Sequence, residues 1–113
     1  MGSYSDVALA IKKEAWESLP ENIQEIIFDC FDDTVDVSEC GARLFHVTDI
    51  KWRPWSDQEI RKLLKALRKT EGYNYKLIVA HHDYPSNDND DAGWWDENPW
   101  DIYRYVKVGI SYI

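Results

Sequence analysis

The run Ile60, Leu63, Leu64 and Leu67 constrains this chain more than any other feature. Its i, i+3, i+4, i+7 spacing puts all four apolar side chains on one face of a helix. Ser56 and Glu59 make a capping box at the start, and Gly72 marks the stop, so a helix is predicted over 57–70. Such a stripe needs an apolar surface to cover. The flanking segments supply one. Residues 42–52 alternate, with Leu44, His46, Thr48, Ile50 and Trp52 on one side and Phe45, Val47, Asp49 and Lys51 on the other. A period of two predicts a strand. Residues 73–82 read as a largely buried strand through Leu77, Ile78, Val79 and Ala80.

The same reasoning extends outward. Val7, Leu9 and Ile11 alternate with Ala8 and Ala10, which predicts a strand over 4–12. Residues 13–31 read as two helical pieces. Trp16 and Leu19 belong to the first, and Pro20 opens the second, where its missing N–H costs nothing. Ile23, Ile26, Ile27 and Cys30 then share a face. Residues 32–40 carry four acids and read as a connection or an irregular edge, with a turn at Gly41. Residues 102–113 read as a last strand, with Ile102, Val106, Val108, Ile110 and Tyr112 on one face, paired to 73–82 across a long loop at 83–101. The order β-α(α)-β-α-β-loop-β predicts an α+β fold: a four-stranded, mostly antiparallel sheet with helices packed on one face. At 113 residues, with no internal repeat or long linker, one domain over 1–113 is expected. Six Trp and seven Tyr give so small a core a large buried area.

Charge narrows the function classes. The formal net charge is −8, which disfavours binding to DNA, RNA or anionic lipid, because phosphate recognition rests on Lys and Arg. The charge is also segregated. Residues 14–39 hold nine acids and no Lys or Arg, and residues 83–101 hold seven acids and again no base. Residues 51–69 hold seven bases against Asp57 and Glu59. The helix over 57–70 therefore presents Arg61, Lys62, Lys65, Arg68 and Lys69 to solvent or to its own acidic neighbour, the alternative being a patch for an acidic partner. The chain start lacks the basic and unbroken apolar regions of a secretory signal, and no stretch has transmembrane length. A cytoplasmic setting with no membrane contact follows as the expectation, and there Cys30 and Cys40 stay reduced.

The loop over 83–101 is the candidate site. Loops this long in small domains are commonly functional, and this one carries Tyr84, Trp94, Trp95 and Trp100. Trp and Tyr anchor interfaces more often than most residues. With Asp88, Asp90, Asp91, Asp96 and Glu97 around them, the rings are expected to fill a pocket on a protein partner with a basic surface. The competing reading folds these indoles back over the open face of the sheet. Calcium is set aside: Asp88, Asp90 and Gly93 match an EF-hand at its first, third and sixth positions, but Ala92 and Pro99 stand where ligands belong. His46, His81, His82, Cys30 and Cys40 lack the spacing of a zinc site. No glycine-rich phosphate loop is present. No enzymatic activity, metal or cofactor is expected.

Three segments carry a resemblance: YSDVALAIKKE at the start, DIKW with Trp55 shortly after, and DYPSNDNDDAGWWDENPWDIYRYVKVGISY at the end. They resemble small accessory proteins of phage and prophage genomes. The resemblance assigns no site residues. It implies a context, namely direct binding and inhibition of a host or defence protein in the host cytoplasm, as anti-CRISPR and anti-restriction proteins do. One departure stands out. DNA imitators line their acids along one continuous face, whereas here the basic helix over 57–70 interrupts them. The alternatives are an immunity protein or antitoxin that neutralises a basic toxin, and a small structural or metal-binding protein, including a homo-oligomer joined through sheet edges.

Overall fold

A computed structural model describes residues 4–31, 33–52, 57–81, 91–104 and 108–112. Strand β1 (Ser5–Ile11) leads into helices α1 (Lys13–Ser18) and α2 (Glu21–Cys30). Strands β2 (Asp33–Val37) and β3 (Arg43–Ile50) precede helix α3 (Gln58–Arg68) and strand β4 (Tyr75–His81). Two-residue β5 (Ala92–Gly93) and the pair β6 (Trp100–Arg104) and β7 (Val108–Tyr112) complete the chain. The sheet order is β2-β3-β1-β4-β5, each strand antiparallel to its neighbours. Four longer strands thus form the expected antiparallel sheet, and β5 extends its edge. β3 and β4 both run antiparallel to β1 between them, so β3-α3-β4 is a split βαβ unit.

β1 is buried along all seven residues because both faces of the sheet are covered. On one face Val7, Leu9 and Ile11, with Phe45, Val47, Leu77 and Val79, meet the three helices. α3 contributes the predicted stripe Ile60, Leu63, Leu64 and Leu67. Each such side chain stabilises the fold by about 1.5–3 kcal/mol on burial. On the other face Ala8, Ala10, Leu44, Ile78 and Ala80 form a second core that is closed by Trp100. The alternation of large and small residues in β1 therefore sorts the two layers: bulky residues fill space under helices, and alanines let a large ring approach the sheet.

Three local readings are corrected, and one open choice is decided. The expected last strand over 102–113 is two strands, β6 and β7, paired with each other in a hairpin rather than with β4. The acidic segment, read as a connection or an irregular edge, is the edge: it holds β2, paired with β3 and shifted in register between Thr34 and Asp36. It ends in a tight turn where Gly41 adopts φ +83° and Gly41 N–H donates to the Ser38 carbonyl. The cap of α3 is Asp57, whose Oδ1 accepts from the Glu59 and Ile60 amides at 2.9 and 3.2 Å; Ser56 lies outside the described residues. Finally, Ile50 and Trp52 do not share a face with Leu44. The β1–β3 register shifts between Ser5 and Val7, and Asp49 sits at φ +56°. An extra residue inverts the parity of a strand, so Trp52 joins Phe31 and Phe45 in the helix-side core. Buried Asp6 steadies this bulge by accepting the Asp49 amide at 3.1 Å.

Both cysteines are free thiols in contrasting settings. Burial, aided by the Asp57, Glu59 and Asp29 carboxylates, pushes Cys30 up to about 11. The Ser38 hydroxyl, 3.1 Å from its Sγ, draws exposed Cys40 below the ordinary thiol value. The thiolate is the reactive form. At pH 8, iodoacetamide should therefore modify Cys40 at least about tenfold faster than Cys30. Ser38→Ala should narrow that gap. Peptide mapping by mass spectrometry reads both rates, and equal rates in the unmodified protein would contradict the assignment.

Candidate functional site

The described part of the predicted loop, residues 91–100, is built onto the sheet edge rather than looped away from it. Gly93 pairs with Lys76 and Ala92 with Leu77. Just before them the Asp91 Oδ1 accepts the Val79 amide of β4 at 3.0 Å. Gly93 adopts φ +75°, and a Cβ there would run into the Tyr75 carbonyl oxygen. Only glycine meets both demands. Of the residues that suggested a calcium loop, Gly93 serves strand-edge pairing, and Asp88 and Asp90 lie outside the described residues. Among the described residues no three His, Cys, Asp or Glu side chains converge on a metal position.

Past Gly93 the backbone stays tied down. Trp94 N–H donates to Gly72 O at 2.8 Å, Trp95 N–H to Tyr75 O at 3.0 Å, and Asp96 N–H to Trp94 O at 2.8 Å. Buried Asn98 then holds the turn, its Nδ2 donating to Trp95 O at 2.8 Å and its Oδ1 accepting Trp100 N–H at 3.0 Å.

This scaffold sends the three indoles to different places. Trp94 is 64% exposed, with its ring against Gly72, where a Cβ would collide with it. Trp95 is half-buried against the second core. Trp100 is 2% exposed and belongs to that core, so for this residue the competing reading holds and its expected place in the docking surface is withdrawn. A large apolar ring next to a stripe of alanines is worth more covered than wet. Of the acids, Asp96 is exposed and pairs with Lys76, Glu97 is exposed, and Asp91 is half-buried on β4. Tyr84, Asp88 and Asp90 lie outside the described residues.

Two partners of the indoles were not anticipated from the sequence. Tyr73, 52% exposed, stands in the 3₁₀ turn Gly72–Asn74. The Lys12 ammonium lies 5.5 Å from its ring centre and 5.4 Å from that of Trp95, within the range of a cation–π attraction. Lys12 N–H donates to Asn74 O at 2.9 Å, which fixes the base of this lysine. Beside Trp94 a hollow of about 400 Å³ is lined by Arg68, Lys69, Tyr75 and Gly93. The rings expected amid carboxylates therefore also stand among cations: Lys12, Arg68, Lys69 and Lys76. The sequence signal was present in the lysines flanking the strand ends, but distance along the chain hid it.

The basic face of α3 is exposed to solvent, as the sequence reading expected. α2 and α3 are neighbours, yet the acids of α2 do not neutralise α3. Among the described residues the ion pairs are Lys13–Glu17 at 3.7 Å and Lys76–Asp96. Arg61, Lys62, Lys65, Arg68 and Lys69 are exposed and take part in neither. No helix among the described residues is long and apolar enough to cross a membrane. No protein-family model, no curated protein and no solved structure matches this chain.

Proposed function

We propose that this chain is a protein-binding protein that docks through the aromatic edge formed by Trp94, Tyr73 and Trp95. The observation that carries this reading is Trp94 itself. A ring 64% exposed, on a backbone held by three hydrogen bonds and backed by Gly72, meets a partner already ordered. Preorganised aromatic anchors lose little entropy on binding, which is why they dominate interface energetics. The phage resemblance supplies the biological role: inhibition of a host or defence protein in the cytoplasm, by occupation rather than by chemistry. The cations beside the rings favour a partner of mixed or acidic surface over the uniformly basic one that composition points to, and for the same reason they weigh against the antitoxin alternative.

Immobilised protein incubated with bacterial lysate should retain a partner that Trp94→Ala releases, with affinity lowered by about 2 kcal/mol or more, roughly thirtyfold. Gly72→Ala should act in the same direction while keeping the indole, because the added Cβ displaces the ring. Trp94 is exposed, so the melting temperature of Trp94→Ala should stay close to the parent's, while Gly72 is buried and the melt of its variant separates lost folding from lost binding. Partner retention unchanged in both variants would remove this edge from consideration.

A further inference from the structure

We infer that the cleft between α3 and the α1–α2 corner is a second docking site, and that it takes an acidic segment of a partner polypeptide. This inference does not rest on the Trp94 edge, although Lys69 borders both hollows. The cleft has a volume of about 660 Å³, within the range of ligand sites. One wall is α3, from which Lys62, Lys65 and Lys69 enter at i, i+3 and i+7, the spacing that stacks side chains on one helix face. The floor and far wall are apolar at Leu19, Pro20 and Ile23.

Two observations argue for an acidic occupant, and a third narrows its kind. First, the chain concentrates cations here against its own composition: net charge is −8, yet this wall is three lysines. Second, the neighbouring acids leave them available, since none of the three takes part in an ion pair among the described residues. Third, the site is sided rather than uniformly cationic. Glu14 and Glu71 stand on the lining.

That last point selects among polyanions. A nucleic acid strand would carry a regular row of phosphates past both carboxylates and would offer nothing to the apolar floor, while the net charge opposes its approach. A polypeptide alternates carboxylates, which the lysines bind, with apolar side chains for the floor. Its backbone N–H groups donate to Glu14 and Glu71. Exposed charges of this kind set approach rate and salt dependence, so the contact is expected to weaken as salt rises.

The test uses the full chain and a short fluorescein-labelled peptide that alternates glutamate with leucine and alanine, read by anisotropy at low ionic strength. Saturable binding is expected. Lys65→Glu should weaken it about tenfold, and Lys65→Gln by less in the same direction. Lys51→Glu changes net charge identically at an exposed site outside the cleft and should alter affinity less than about twofold, because screening confines the effect. Thermal melts of each variant keep folding separate from binding. The inference is overturned by the absence of saturable binding, by equal losses in Lys65→Glu and Lys51→Glu, or by an oligothymidylate that binds as tightly as the peptide. Partner retention in the Trp94→Ala experiment reads the other edge and is unaffected by any of these outcomes.

Discussion

Trp100→Ala should cost about 3–5 kcal/mol of folding stability, the range for truncating a buried Trp. Trp100 is 2% exposed, and among the described residues it shares its buried cluster with Ala8, Ala10, Ala42, Ala80, Leu44 and Ile78. Four of the six are alanines, which have no atoms with which to fill the void. The loss should also loosen the β6–β7 hairpin, since Trp100 opens β6 and packs in the second core. Small domains are stable by only about 5–15 kcal/mol, so a large fraction is at stake. Urea denaturation followed by far-ultraviolet circular dichroism measures it, with Trp94→Ala as the comparison. The exposed indole should change stability by less than about 0.5 kcal/mol. If the two variants unfold at the same urea concentration, the division of the indoles into core and surface is wrong.

Gly93→Ala comes next, with an expected loss of about 2–4 kcal/mol from left-handed backbone strain and overpacking combined. The new Cβ meets a backbone atom, the Tyr75 carbonyl oxygen, which cannot swing aside as a side chain can. β5 must therefore lift from β4, and that removes the Trp94 and Trp95 amide bonds to Gly72 and Tyr75. Gly41→Ala is the informative contrast. Its φ of +83° is just as unsuited to alanine, but the Cβ there meets only the flexible Lys13 side chain, so about 1 kcal/mol is expected. Denaturation midpoints for the pair separate backbone strain from collision. Equal midpoints would show that the close approach of Gly93 to Tyr75 contributes nothing.

Periodicity carried the fold where one face decided the outcome. The α3 stripe and the alternation of β1 were readable because burial on a single side leaves a repeat in the sequence. Parity failed at Trp52 because the Asp49 bulge inverts it, and a bulge has no repeat of its own. The β6–β7 hairpin was hidden for a related reason: Ile102, Val106, Val108, Ile110 and Tyr112 keep one parity on both sides of Arg104, so the pattern reads as a single strand. In the candidate site, composition marked out the right segment but not the fate of each ring. Trp94, Trp95 and Trp100 are alike as residues, and what separates them is Gly72 beneath one and an alanine stripe beneath another. Lys12 and Tyr73 were beyond reach because only the folded edge brings them to Trp95.

The Asp91 contact has a consequence for how these molecules behave in a crowd. β4 has seven residues, but β5 pairs with only Lys76 and Leu77. The next outward amide, Val79 N–H, is taken by a carboxylate from the same chain. A stray strand from another molecule would have to evict that carboxylate before it could add to the ladder. Negative charge beside the open rim further repels a like-charged neighbour. Edges left unguarded invite chain-to-chain polymerisation into aggregates, and among the described residues the Asp91 side chain guards this stretch.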